Sequence, residues 1–184
     1  MIEIPEDHPT VKFHAKLQKA FPILWRDDSV GRRTWPCAAK GWREIIWKCS
    51  EEISAEIKSV VQLYPIEVLP RATQVKEKFG GLRFYLSGIP IPIAEEVRKI
   101  RDFYEQVSYK TCDVCGGMGK IRNHWPEHPD VPFGWVRTLC EEHFIEEAER
   151  RVQSGGVDKK ARKWYYDRRV ALKAAKRAAR KSNG

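Results

Sequence analysis

Residues 112–143 read CDVCGGMGKIRNHWPEHPDVPFGWVRTLCEEH: a Cys-x-x-Cys pair, then 24 residues, then a Cys-x-x-His pair. Each pair supplies two ligands from one tight turn, so Cys112, Cys115, Cys140 and His143 are expected to close a tetrahedron around one ion. Three thiolates with one imidazole favour Zn2+ over magnesium or calcium, which prefer oxygen. With all four positions filled by protein, no place is left for a reacting water, and the expected role of the zinc is structural. Metal binding in zinc-finger peptides is worth about 10–16 kcal/mol, so the ion is expected to supply folding energy to its segment. The neighbouring sequence agrees. Gly116 and Gly117 let the backbone turn back toward the ion. Residues 120–123 and 134–139 can pair as a hairpin, and EEHFIEEAERRV from Glu141 reads as a helix with Cys140 and His143 on one face of its first turn. Knuckle, hairpin and ligand-bearing helix make a treble-clef-like zinc module, residues 111–154.

Toward the amino terminus the hydrophobic period changes twice. Residues 93–110 carry Val97, Ile100, Phe103, Tyr104 and Val107 at helical spacing. Before them, ATQVKEKFGGLRFYLSG alternates on both sides of Gly80-Gly81, which predicts a β-hairpin with those glycines as its two-residue turn. That turn pairs Phe79 with Leu82, Glu77 with Phe84 and Val75 with Leu86, leaving Lys76, Lys78 and Arg83 on the opposite face as a candidate anion platform. Residues 41–63 place Trp42, Ile45, Ile46, Cys49, Ile53, Ile57, Val60 and Val61 on one buried helical stripe. Helix, hairpin and helix thus form a body over residues 41–110. Residues 1–40 combine a short helix near 10–20 with loop carrying Pro and Trp, and have no assigned role. The fold class is α+β.

Toward the carboxyl terminus, residues 157–184 hold 11 Lys or Arg against 2 Asp, which by difference equals the net charge of +9 of the whole chain. Ala, Lys and Arg are good helix formers, so this segment is expected to be a basic helix. Arg162, Arg169, Lys173, Lys176, Arg177 and Arg180 gather along one side of it. Trp164, Ala171, Leu172, Ala175 and Ala178 offer a shallow apolar side to the body, and packing should claim at least two of Trp164, Tyr165 and Tyr166. A basic stripe beside a near-neutral body suits an anionic partner, nucleic acid before membrane surface, with affinity that falls as salt rises.

The remaining composition narrows the setting. The 42% apolar fraction and seven Trp indicate a packed protein. No run approaches the roughly 20 apolar residues of a membrane span. The amino terminus lacks the features of a secretion signal. Five cysteines, three of them in the metal pattern, suit a reducing compartment, and the expected location is the cytoplasm. Cys37 and Cys49 are expected to be small buried apolar residues. There is no Gly-rich phosphate loop and no nucleophile with an identifiable base, so no small-molecule substrate is indicated.

Two resemblances extend this reading. VKEKFGGLRFY, followed by a helix, CxxCG and GWVRTLCEEH, resembles a family of small uncharacterised proteins of bacteriophages and prophages over residues 40–145. This implies an origin, in which case the location is the host cytoplasm, and a fold, but no activity. The layout of CxxC, hairpin and GWVRTLCEEH is also similar to zinc-containing His-Me finger (HNH-type) endonucleases, which implies His124 or His128 as the base that activates water. The Asp-His pair of those enzymes is absent, and Phe144 stands where an Asn often follows the last ligand. The sequence therefore points to a non-enzymatic, zinc-binding, nucleic-acid-binding accessory protein. A module that binds or inhibits a host protein is the alternative, and a nuclease comes third. DNA and RNA are not distinguished.

Overall fold

The protein is represented by a computed structural model. It describes residues 8–27, 36–37, 39–125, 128–155 and 159–182, without the side chains of 37, 123–135, 161 and 182. The chain runs α1 (Pro9–Ala20), β1 (Pro36–Cys37), a 3-10 turn (Lys40–Trp42), α2 (Arg43–Val60), a second 3-10 turn (Ile66–Val68), β2 (Arg71–Lys78), β3 (Gly81–Ser87), α3 (Ile91–Ser108), β4 (Lys120–Trp125), β5 (His128–Leu139), α4 (Glu141–Gln153) and α5 (Lys159–Ser182). It is an α+β fold with two small sheets, ordered β1-β2-β3 and β4-β5.

The stripe expected on residues 41–63 is the centre of the larger core. Trp42, Ile45, Ile46, Cys49, Ile53, Ile57 and Val60 are all buried, against Ile93, Val97 and Tyr104 of α3 and Ala72, Val75, Leu82 and Phe84 of the sheet. Phe103 is the exception on α3 and is exposed. The amino-terminal segment belongs to this core as well. Leu17, Leu24 and Trp25 are buried there, Trp25 meets Phe84 edge-on at 5.7 Å and donates from Nε1 to Ser50 at 3.0 Å. β1 adds a parallel strand to β2, with Pro36 opposite Val75.

The first hairpin forms, but its turn lies one residue earlier than expected. Phe79 (φ 53°) and Gly80 (φ 78°) make the turn, and the register is Lys78 to Gly81, Glu77 to Leu82 and Val75 to Phe84. Two left-handed residues in sequence are the geometry of a type I′ hairpin. Gly81 is required for something else: a Cβ there would lie 2.6 Å from the Tyr109 ring. The shift moves Phe79 off the expected apolar face into the exposed turn and leaves the strand residues on their expected faces, but Lys76, not Lys78, now lies opposite Arg83.

The smaller core joins the second sheet to both carboxyl-terminal helices. Leu139, Phe144, Ile145 and Ala148 pack with Cys112, Trp164 and Tyr165. Thus the basic segment is helical, as expected, and its first half is docked. Its apolar side is narrower than expected, because Ala171, Ala175 and Ala178 are exposed. The docked side passes through Leu172 and Lys176, which leaves Ala171, Ala175 and Ala178 off it.

Candidate metal centre and basic helix

Cys112 and Cys115 sit on the turn after α3, Cys140 is the residue that caps α4, and His143 lies in the first turn of that helix. The turn is shaped by its own backbone. Gly116 donates to the Cys112 carbonyl at 2.9 Å, and Cys112 donates to the Gly117 carbonyl at 2.7 Å. Gly116 has φ 79°, a conformation that favours glycine. The Phe144 amide closes the first turn of α4 on the Cys140 carbonyl at 3.0 Å, which fixes the three-residue step between Cys140 and His143.

These constraints bring the four expected ligands together. Their donor atoms all lie within 4.8 Å of one another. Cys140 Sγ is 3.1 Å from His143 Nδ1, Cys112 Sγ is 3.5 Å from the same nitrogen, and Cys115 Sγ is 4.0 Å from Cys140 Sγ. A tetrahedral ion bonded to sulfur at about 2.3 Å and to nitrogen at about 2.0 Å needs donor separations of about 3.5–3.8 Å, so the set fits one four-coordinate ion. No disulfide competes, since Cys112, Cys115 and Cys140 are all free thiols. Burial raises the Cys112 thiol, but the amides of Cys140, Cys115 and Val114 outweigh it and bring it down to about 7. Burial and the neighbouring Cys112 push Cys140 up to about 11, against the amide of His143. The pocket therefore favours the Cys112 thiolate by itself, whereas Cys140 needs a cation beside it to ionise near neutral pH.

No family model, curated protein or solved structure matches the chain. The centre is read from its geometry alone.

That geometry includes supporting groups with no signal in the ligand spacing. Asp113, buried beside the first ligand, accepts two bonds from Arg137 at 2.7 and 2.9 Å, which ties the knuckle to β5. Arg122, buried, lies 4.2 Å over the Phe144 ring and donates to Glu141 at 2.9 Å, while Arg168 of α5 reaches the other oxygen of Glu141 at 2.6 Å. Glu146 lies 3.9 Å from His143 Nε2, the nitrogen turned away from the thiolates. Gly41 of the body approaches so closely that a Cβ would lie 2.2 Å from the Cys112 carbonyl. Beside this contact, Cys115 and His143 face a cleft of about 820 Å3 lined also by Gly41, Glu44, Val107 and Thr111.

The expected nucleic-acid contacts divide. Arg83 is ion-paired with Glu105 and 3.2 Å from the Tyr109 hydroxyl. Lys76 lies over Tyr85 and Lys78 over Phe79, each at about 5.5 Å. On α5, Arg169 pairs with Glu149 at 2.7 Å and Lys176 pairs with Glu142. Arg162, Lys173, Arg177 and Arg180 are exposed, with no ion-pair partner among the described residues. Two of the three aromatics are packed, as expected: Trp164 and Tyr165 are buried and Tyr166 is exposed. Cys49 is buried as expected. The side chains of Cys37, His124 and His128 lie outside the described residues, so the implied catalytic histidines have no geometry to support them.

Proposed function

We propose that this protein is an accessory factor that binds nucleic acid through α5 and uses one zinc ion to hold the platform on which that helix is docked. The observation that carries the reading is the division of labour on α5. The cations turned toward α4 are neutralised by its glutamates, whereas Arg162, Lys173, Arg177 and Arg180 face solvent. Uncompensated cations along one helix side are what a phosphate backbone selects. Zinc is favoured by the ligand set, because three thiolates and an imidazole at tetrahedral separations match its preferences. In this reading knuckle, β4-β5 hairpin and α4 form a treble-clef-like finger, and α5 is its functional extension. The resemblance to phage and prophage proteins supports an accessory role in an infected cell.

The test uses the full chain with Arg162, Lys173, Arg177 and Arg180 all changed to Gln. Metal content and melting temperature should match the parent, because these side chains are exposed and make no ion pair among the described residues. Affinity for a nonspecific duplex at low salt should collapse, and the parent's slope of log K against log salt, about −3.6 for four phosphate contacts, should flatten. An unchanged titration would sink the reading.

A second reading, docking to a host protein, is favoured by a different surface. Leu63, Ile66, Val68 and Ile91 are all exposed. They lie at the end of the body where α2 finishes and α3 begins. Capture of one stoichiometric protein that survives nuclease treatment and is lost on Ile66→Ser and Ile91→Ser would establish it.

A further inference from the structure

Resting on the nucleic-acid reading above, we infer that α5 is a major-groove helix for B-form duplex DNA, with Tyr166, Val170 and Ala174 facing the base edges. The docked side of the helix is defined by Trp164, Tyr165, Arg168 and Leu172, which meet α4 or the smaller core. At about 100° per residue, the opposite side is centred on Tyr166, Val170 and Ala174, successive members of one i, i+4 ridge. All three are exposed, and two are large: Tyr166 at 55% and Val170 at 68%. An exposed valine beside an exposed tyrosine adds nothing to a helix meant only to stay in solution.

The charges are arranged around this neutral centre. Lys159 and Arg162 precede it, Lys173 lies just before its last member, and Arg177, Arg180 and Lys181 follow it, while Lys163 is paired with Asp167 at 3.0 Å. At 1.5 Å per residue, Arg162 and Lys173 are separated by about 16 Å along the axis. The major groove is about 12 Å wide and admits one α-helix, so with the neutral ridge on the floor the two clusters meet the phosphates that flank the groove where the helix enters and leaves it. There the valine methyls and the edge of the tyrosine ring can contact thymine methyl groups. A single strand has no second rim, and the major groove of duplex RNA is too deep and narrow for side chains to read. The dock on α4 leaves this side of the helix clear: α4 contacts come from the other side, and residues 173–181 are exposed throughout.

The experiment measures binding of the full chain to three probes of one sequence, a 20-base-pair DNA duplex, the matching RNA duplex and the single DNA strand. Dimethyl sulfate then reads guanine N7 in the saturated DNA complex. The DNA duplex should bind at least about tenfold tighter than the RNA duplex, and N7 should be protected. Tyr166→Ala with Val170→Ala should remove that protection and most of the preference while leaving single-strand binding unchanged. Lys173→Ala and Arg177→Ala should each lower the salt slope by about 1 on the duplex. Equal affinity for all three probes, or N7 fully reactive in the saturated complex, would overturn the groove assignment and leave nucleic-acid binding standing. Failure to bind any probe would overturn both.

Discussion

Gly41 is where one methyl group would do most damage. Its missing Cβ would lie 2.2 Å from the Cys112 carbonyl, 2.6 Å from the Gly116 amide and 2.7 Å from the Asp113 carbonyl carbon. All three are backbone atoms of the knuckle, so no rotamer change relieves the clash, and the body and the knuckle must separate. Gly41→Ala should destabilise the protein by about 3 kcal/mol, read as the urea midpoint at constant m, whereas Gly155→Ala, with no atom near its Cβ, meets only the strain of its own φ. A second residue-scale test concerns the buried pair of Asp113 and Arg137. Arg137→Met leaves the carboxylate buried and alone, which should lower stability by about 3 kcal/mol at neutral pH. Adding Asp113→Asn should recover much of the loss. Burial already raises the Asp113 carboxyl, with Arg137 pulling against it, so without the arginine its folded pKa rises further above the unfolded one. A group shifted that way is stabilising at low pH and loses that contribution as pH rises through its folded pKa. The deficit of Arg137→Met relative to parent should therefore narrow as pH falls from neutral toward the ordinary carboxyl range.

At the scale of elements, α5 is held to α4 by rings and by ion pairs in unequal measure. Trp164 meets Phe144 edge-on at 5.5 Å and Tyr165 is buried. Beyond Leu172 the contact is electrostatic. Burial works to raise Glu141, but Arg168 and Arg122 outweigh it and hold its carboxyl below the ordinary glutamate value, and Lys176 does the same for Glu142. Carboxyls lowered by folding contribute stability above their unfolded pKa and lose it as pH falls through the folded one. Protection factors for hydrogen exchange in α5, taken relative to the unstructured rate at each pH, should therefore fall as pH drops below about 4.5, and this acid step should shrink in Glu141→Gln with Glu142→Gln. Metal loss in acid is common to both proteins, so the difference between them isolates the helix. These pairs also show where sequence reading stops. The helical stripe of α2, the ligand quartet and the helix of the tail are local patterns, fixed by spacing, and all three were legible. The pairing of Arg168 with Glu141, 27 residues apart, or of Asp113 with Arg137, depends on how elements dock, and no spacing announces it. The hairpin turn failed for the same reason: two glycines suggest a two-residue turn, but Gly81 is reserved by Tyr109, which caps the end of α3 and is a partner invisible to the strand pattern.

At the scale of the whole molecule the question is whether metal stabilises one module or the entire chain. The two cores are distinct, yet the contacts between their elements are of a kind that does not loosen gradually. Gly41 donates to the Asp113 carbonyl at 2.8 Å. Trp42, fully buried at the start of α2, donates from Nε1 to the Thr111 carbonyl at 2.8 Å, and Thr138 donates from its hydroxyl to Gly80 in the turn of the first hairpin at 2.6 Å. Each bond joins the body to the knuckle or to β5, and each buried polar group would be left unsatisfied if the knuckle came apart. A chain of 184 residues with such an interface should unfold as one unit. Removal of the ion by a chelator, which the cleft beside Cys115 admits, should then lower the melting temperature of the body along with that of the finger. Calorimetry should show one transition moving down by tens of degrees, and hydrogen exchange in the second half of α2, which lines no part of the metal cleft, should rise together with exchange in α4. Two separated transitions after chelation, with α2 still protected, would mean that the body folds independently.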